Sequence, residues 1–287
     1  MGKIRVGVSG WSYDEWQGVF YSDDLPDDRR LRHAASVFDT IEVNGTFYSL
    51  TDPRSCRRWR QSAPAGFKFS VKGSRYITHM RRLRDVRTGL ANFFASGVLE
   101  LGDMLGPVLW QLPADLTFDA DLLDSFLGML PRDTSAAAEL ARKHDERARV
   151  VSYGGHDKHR LRHVLEFRHD SFMHPGTATI ARRHGVALCT SQSREWPLVE
   201  EITAGFVYVR LHGPAELYAS AYSSDELEHW ASRITTWHAG GIPSGSTRIS
   251  SKFPPRRTER DVYVYFDNTA SGHAPRQALV LREMVTG

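Results

Sequence analysis

Eight short runs of apolar, largely β-branched residues recur along the chain, each followed by a stretch of helical character. They are Arg5 to Ser9, Thr40 to Val43, Lys68 to Lys72, Val108 to Leu112, Val164 to Phe167, Val186 to Thr190, Val207 to Leu211 and Val262 to Phe266. Runs this short and this apolar read as strands covered on both faces, the pattern of a parallel sheet whose crossovers are helices. Between them Leu31, Ala34, Ala35 and Phe38 fall at i, i+3, i+4 and i+7, the stripe of an amphipathic helix. Leu122 to Leu130 and Leu227 to Ile234 repeat it. Helix boundaries are written in as well: Asp52 caps a helix opened by Pro53, Ser223 with Glu226 reads as a capping box, and Gly185 stops the helix carrying Ile180 and Ala181. Eight such units in 287 residues predict a single-domain α/β chain, a closed (β/α)8 TIM barrel over 1–287. An open doubly wound sheet fits less well, because no strand is followed by a G-x-G-x-x-G turn. Residues 131–160 read as an extra surface helix and loop, and 240–260 as a long polar loop before the eighth strand.

Composition narrows the function classes. With 41% hydrophobic and 25% charged residues the chain has the balance of a globular protein with a substantial core. No apolar run approaches the roughly 20 residues of a membrane helix, and the opening Lys3-Ile4-Arg5-Val6 lacks a signal-peptide core, so a cytoplasmic protein with no membrane partner is expected. Two cysteines, Cys56 and Cys189, fit a reducing compartment and exclude a cysteine-built metal centre. Net charge is +3, with 31 arginines to 6 lysines, and the arginines clump at Arg54, Arg57, Arg58 and Arg60 and again at Arg75, Arg81, Arg82, Arg84 and Arg87. Such clumps read either as solvated helix faces or as a footprint for nucleic acid or phosphate.

In a (β/α)8 barrel the active site lies at the C-terminal ends of the strands. Those ends carry Ser9, Gly10 and Trp11, then Glu42 and Asn44, Lys72 with His79 downstream, and Gln111. They continue with Glu166, Arg168 and His169, Thr190 and Ser191, Arg210 and His212, and finally Asp267 and Asn268. The stretch "VGVSGWSYDEWQG" places Trp11, Tyr13 and Trp16 on the first loop, where they either wall a pocket for a ring-bearing ligand or plug the barrel top. Arg210 and His212 share one strand face and Gly213 permits a tight turn after them. With Lys72 they read as an anion pocket; the competing reading is a buried ion pair of Arg210 with Glu42 or Glu166. Gly272-His273 leads into a last helix whose first amides suit an anion. His144 on the extra helix, and His156, His159 and His163 in a basic, mobile stretch, read as surface residues.

Seven segments in unbroken order carry a family resemblance: "GVSGWSYDEWQGVFY", "FDTIEVNGTFYSL", "FKFSVKGSRYITHMRRL", "GPVLWQLP", "LEFRHDSF", "VYVRLHG" and "YVYFDNTASGHAP". Together they resemble the signature segments of the DUF72 family, the YecE-like proteins of uncharacterised function, from residue 4 to about 282. The resemblance implies a TIM barrel, similar in shape to metal-dependent barrels of the endonuclease IV and xylose isomerase kind, and brings no reaction with it. It also marks two departures. Many relatives close strand six with an aspartate where this chain has Thr190-Ser191, and follow strand eight with two asparagines where it has Asp267-Asn268.

The strand-end residues support three functional expectations. In the first, an enzyme acts on a small anionic, phosphate-bearing substrate or nucleic-acid end by hydrolysis or acid/base chemistry. Glu42, Glu166, His79 and His212 are its catalytic or metal-ligating candidates; Trp11, Tyr13, Asn44, Tyr48, Lys72, Gln111, Arg168, Arg210, Asp267 and Asn268 are its substrate-binding candidates. Glu42, Glu166, His169, His212 and His79 offer the donors that Zn2+ or Mn2+ takes, but no H-x-x-E or H-E-x-x-H spacing singles out a ligand set, so no cofactor is assigned. In the second, Glu42 and Glu166 act as a metal-free acid and base on a sugar walled by Trp11, Trp16, Tyr48 and Trp110, as a lyase, isomerase or glycosidase. In the third, the barrel is not catalytic and binds nucleic acid or a partner through its arginine clumps.

Overall fold

In the computed structural model, which describes residues 2–155, 158–255 and 257–286, every one of the eight runs forms a strand and the strands close in sequence order. They are β1 (Ile4–Ser9), β2 (Thr40–Val43), β3 (Lys68–Lys72), β4 (Leu105–Gln111), β5 (His163–Glu166), β6 (Ala187–Gln192), β7 (Phe206–Leu211) and β8 (Asp261–Phe266). All neighbours are parallel, and β8 returns to pair with β1, Val264 opposite Val6. The fold is the expected (β/α)8 barrel. Helices Asp27–Val37, Pro53–Ser62, Arg87–Ala95, Ala120–Met129, Pro175–His184, Ser224–His238 and His273–Thr286 cover its outside. Their ends follow the local chemistry: Asp52 accepts from the Arg54 amide, Ser223 and Glu226 cap each other, and Gly185 ends its helix at φ +62°.

The two faces of the strands differ more than the sequence pattern indicates. Val6, Val8, Ile41, Phe69, Val71, Val209, Leu211 and Val264 point outward into the helix layer. The inward face holds a few apolar side chains, Leu109, Val164, Ala187 and Cys189, together with Tyr208, Tyr263 and Tyr265. Hydrogen bonds cross the lumen between strands that are not neighbours, from Thr40 Oγ1 to the Tyr265 hydroxyl and from Ser70 Oγ to the Tyr208 hydroxyl, each 2.7 Å. The expectation of strands apolar on both faces is thus corrected for the interior. Tyrosine rings fill the lumen's volume while each hydroxyl finds a partner across it, so polarity is buried without being stranded.

The extra element is the helix Thr134–Ala141 followed by irregular chain, which leaves His144 beyond the helix rather than on it. His156 lies outside the described residues. His163 is corrected from surface residue to core: it begins β5, takes a hydrogen bond on Nδ1 from Trp110 Nε1 (3.1 Å) and donates from Nε2 to the Pro131 carbonyl (2.7 Å). Burial pushes its pKa down to about 4. Residues 240–255 and 257–260 form the expected loop, tied down by backbone amides of Thr247 and Ile249 that donate to Glu200 and Glu201.

Candidate active site

Alternation along the strands brings Glu42, Lys72, Glu166, Ser191, Arg210, His212 and Asp267 to the inward face at the C-terminal end of the barrel. The Arg210 guanidinium sits at their centre with its side chain 1% exposed. Its Nη2 donates to Glu42 Oε1 (2.8 Å) and Asp267 Oδ2 (2.9 Å), its Nη1 to Glu166 Oε2 (2.7 Å) and its Nε to Glu42 Oε1 (3.2 Å). Glu42 is closed off further by Ser9 Oγ on Oε1 (2.9 Å) and the Tyr208 hydroxyl on Oε2 (2.6 Å). Burial alone raises a carboxyl's pKa, yet Arg210, then Arg168, holds Glu166 far below the usual carboxylate range, and Arg210, with a hydrogen-bonding contact from His212, lowers Asp267 as well. Three carboxylates hydrogen-bonded to one guanidinium make the floor of the barrel mouth.

His212 stands on that floor with its ring fully buried. Its Nδ1 lies 2.9 Å from Asp267 Oδ2, bent away from a straight hydrogen bond. Its Nε2 lies 3.1 Å from Ser191 Oγ, which also accepts from Trp196 Nε1 at 2.9 Å. Burial, reinforced by Arg210, lowers the His212 pKa and keeps the ring neutral at physiological pH. Trp196 and Tyr218 roof the imidazole edge-on at 5.0 and 5.5 Å. Tyr218 is held at φ +63°, a conformation that costs a bulky residue about 1–3 kcal/mol. The loop is fixed there by the Tyr218 amide donating to the His212 carbonyl (2.7 Å), and Gly213 at φ +107° makes the turn between them.

Two cations line the rim of this floor. Arg168 donates through Nε alone to Glu166 Oε1 (2.9 Å) and stacks over the Trp196 ring at 3.8 Å. Lys72 is 8% exposed and its Nζ lies 4.4 Å from the centre of the Phe47 ring, with no hydrogen bond or ion pair among the described residues. Burial, with Arg210 adding to it, brings its pKa down to about 8 against the pull of Glu166, Glu42 and Asp267. Gly73 follows because a Cβ there would lie 2.2 Å from the Trp110 ring. His79 is half-buried at the same rim, its Nδ1 2.8 Å from Thr78 Oγ1, and burial, then Lys72 and Arg168, lower its pKa to about 4.

Other expected site residues are placed elsewhere. Asn268 is corrected: the alternation that turns Asp267 inward turns Asn268 outward, where its amide donates to the Ser220 carbonyl (3.0 Å) and Gln277 Oε1 (2.8 Å). Trp16 and Trp110 are corrected as ligand walls, being fully buried; Trp16 Nε1 donates to the Thr269 carbonyl (2.9 Å) and its ring packs against Tyr13, Phe20 and Tyr21. Tyr48 is 68% exposed and borders a groove of about 350 Å3 with Arg75, Met80 and Arg147, away from the carboxylates. Gln111 is buried beside Glu166 and donates to the Leu112 carbonyl (3.2 Å). Trp11, Tyr13 and Asn44 line a groove of about 290 Å3 with Trp59 at the ends of β1 and β2, and Asn44 Oδ1 is buried there with no hydrogen bond among the described residues. The first two amides of the last helix are spent, His273 donating to the Ala270 carbonyl and Ala274 to the Asn268 carbonyl.

The floor's charges and Ser9 stand out in the sequence, whereas three residues that organise the site do not: Tyr208, Trp196 and Tyr218. "VYVRLHG" carried a signal for Tyr208, since its polar residues recur at every second position; the loop residues Trp196 and Tyr218 carried none. Arg210 is also corrected from anion ligand to hub, its donors being taken by carboxylates. Nor do the metal-donor types converge: among the described residues no three His, Cys, Asp or Glu side chains form a ligand set. Arg210 takes the position among the three carboxylates that a divalent cation would need, and His169 turns Nδ1 to Ser171. In the arginine clumps Arg57, Arg60, Arg81, Arg82 and Arg84 are paired with Glu100, Asp103, Asp85, Asp115 and Asp119. About half of that positive footprint is thereby neutralised. No helix among the described residues is long and apolar enough to cross a membrane.

The chain is similar in sequence or in fold to several known proteins. UPF0759 protein YecE of Escherichia coli (strain K12) is 24% identical over 249 residues, 84% of each chain. UPF0759 protein YunF of Bacillus subtilis (strain 168) is 25% identical over 79 residues, 28% of this chain and 27% of that one. Among solved structures, a DUF72 family protein of Thermotoga maritima MSB8 superposes with a TM-score of 0.72 at 22% identity, covering 99% of both chains. A DUF72 family protein of Enterococcus faecalis V583 superposes with 0.68 at 15% identity, covering 100% of this chain and 99% of that one. The family profile described as "Protein of unknown function DUF72" matches residues 5–287, and the chain belongs to that family.

Proposed function

We propose that the mouth of the barrel binds a small anionic, phosphate-bearing molecule and hydrolyses it by acid/base chemistry. The observation that carries this reading is Lys72, a largely buried lysine whose ammonium has no anionic partner among the described residues, beside three carboxylates already committed to Arg210. A buried unpaired charge is costly, and a bound anion is what would offset it. Lys72 and Arg168 then hold the anion, Arg210 holds the carboxylates, and His212, oriented by Asp267, exchanges the proton. His79, neutral at the rim, donates or accepts a hydrogen bond without adding charge. The groove of Trp11, Tyr13 and Trp59 supports a ring-bearing portion of the same ligand. The sugar reading is weaker, because it needs Glu42 as a free acid or base and Glu42 accepts four hydrogen bonds.

Titration with inorganic phosphate and a small phosphomonoester tests the anion site. Lys72→Met and Arg168→Gln are each expected to weaken binding by roughly 10- to 100-fold, the value of a charge-assisted hydrogen bond. The unliganded protein's affinity is expected to fall as pH rises through about 8, where Lys72 loses its proton. Unchanged affinity in both variants overturns the reading.

A further inference from the structure

We propose that Ser191 is a nucleophile, activated by His212 and oriented through Asp267, and that the bond it opens is the carboxylic ester of an anionic molecule. This rests on the reading above, in which Lys72 and Arg168 seat the anion. The three residues end β6, β7 and β8, consecutive strands, all facing inward. Contacts of 3.1 Å from Ser191 Oγ to His212 Nε2 and 2.9 Å from His212 Nδ1 to Asp267 Oδ2 join them in the order nucleophile, base, orienting acid.

The chemistry of the neighbours assigns the protons. Trp196 Nε1–H can only donate, and it occupies a lone pair of Ser191 Oγ at 2.9 Å. Arg210 Nη1, also only a donor, faces His212 Nε2 at 3.4 Å. Nε2 is therefore the bare nitrogen, and the ring proton sits on Nδ1 against the Asp267 carboxylate. The Ser191 hydroxyl is left to donate to Nε2, which is the tautomer a general base requires. A serine needed only to fill space beside an indole would not require an ionised aspartate on the far side of the imidazole.

In the first half of the reaction Ser191 Oγ bonds to the acyl carbon and its proton passes to His212 Nε2. That proton moves on to the departing alkoxide oxygen as the ester C–O bond breaks, leaving acyl-Ser191. In the second half a water oxygen bonds to the acyl carbon and gives its proton to Nε2. The Ser191–acyl bond breaks, Oγ recovers the proton and the carboxylic acid leaves. The imidazolium formed in each half is balanced by Asp267 and Glu166.

Ser191 is 2% exposed beneath Trp196, so the test uses small probes: phenylmethanesulfonyl fluoride and diisopropyl fluorophosphate on the whole chain, read by intact mass and peptide mapping. The expected result is one adduct per chain on Ser191, formed with loss of fluoride, absent in Ser191→Ala and slowed by inorganic phosphate. Labelling is expected to slow by about 100-fold or more in His212→Gln and Asp267→Asn. If Ser191→Ala does not fold, Ser191→Cys replaces it, its alkylation by iodoacetamide slowing in the same two backgrounds. A wild-type chain left unmodified, an adduct on another residue or a rate indifferent to His212→Gln overturns the nucleophile. Phosphate binding that still depends on Lys72 and Arg168 in that event leaves the anion site standing, so the two failures are told apart.

Discussion

At the N-terminal end of the barrel lumen two arginines share one carboxylate, whereas at the C-terminal end one arginine serves three. Arg5 and Arg162 both reach Asp261, at 3.5 and 2.6 Å, with side chains 10%, 31% and 17% exposed, and Arg162 also donates to the Tyr263 hydroxyl. At that end Arg162 reaches solvent, and Asp261 keeps one arginine when the other is lost. Around Arg210 the Glu42 and Glu166 side chains are wholly enclosed and Asp267 is nearly so, and every charge depends on its protein partner. The same polar residue types thus make a structural clasp where water enters and a prepaid electrostatic site where it does not.

Removing each hub breaks this contrast most sharply. Arg210→Met strands three buried carboxylates and is expected to cost more than about 3–5 kcal/mol, the value for opening one buried pair. Arg5→Met at the other end is expected to cost about 1 kcal/mol or less. Urea midpoints of the two variants measure the difference, and an Arg210→Met chain within about 1 kcal/mol of Arg5→Met would mean that the carboxylates do not depend on Arg210 for their burial.

How far the sequence reveals these two ends follows from periodicity. The fold is legible because each strand's outward residues are apolar at every second position and each helix keeps its stripe, as in Val6-Gly7-Val8 and in Leu227, Trp230, Ala231 and Ile234. The floor of the site is legible because Glu42, Lys72, Glu166, Arg210 and Asp267 interrupt or end those runs. Ion-pair stoichiometry is not, since only closure of the ring sets β2 opposite β7 and lets Glu42 meet Arg210. Trp196 and Tyr218 escape because they lie in loops without period, where position is fixed by what they cover.

Acid sharpens the contrast at intermediate size. The folded-state pKa of Glu166 lies below the ordinary value of about 4.3, so its contribution to stability is complete above that pH and drains away as pH falls through the lower folded value. Glu166→Gln is expected to lose about 2 kcal/mol at pH 7 and to flatten the fall in stability between about pH 5 and 3. Asp261 is lowered in the same direction, mainly by Arg162 against partial burial. Because it is partly exposed, Asp261→Asn is expected to flatten the profile less. Equal flattening in the two variants would place both ends of the lumen in the same dielectric.

The smallest effect separates the two lysines that face the lumen. Lys68 at the N-terminal end donates to the Asp103 carbonyl, so Lys68→Met gives up a hydrogen bond and gains little. Lys72 has no hydrogen bond among the described residues to give up, only its contact with the Phe47 ring. Burial lowers its pKa from about 10.4 to about 8, so between those values the unfolded chain binds more protons than the folded one and stability rises with pH across the window. Lys72→Met removes that rise and, at pH 7, is expected to stabilise the chain by about 1 kcal/mol or more because no buried ammonium remains to be desolvated. The same variant loses phosphate affinity. Stability gained together with binding lost is the signature of a residue kept for its ligand. A Lys72→Met chain less stable than the wild type would mean that the ammonium already has its partner in the folded protein, and Arg168 would be left as the rim's anion-binding group.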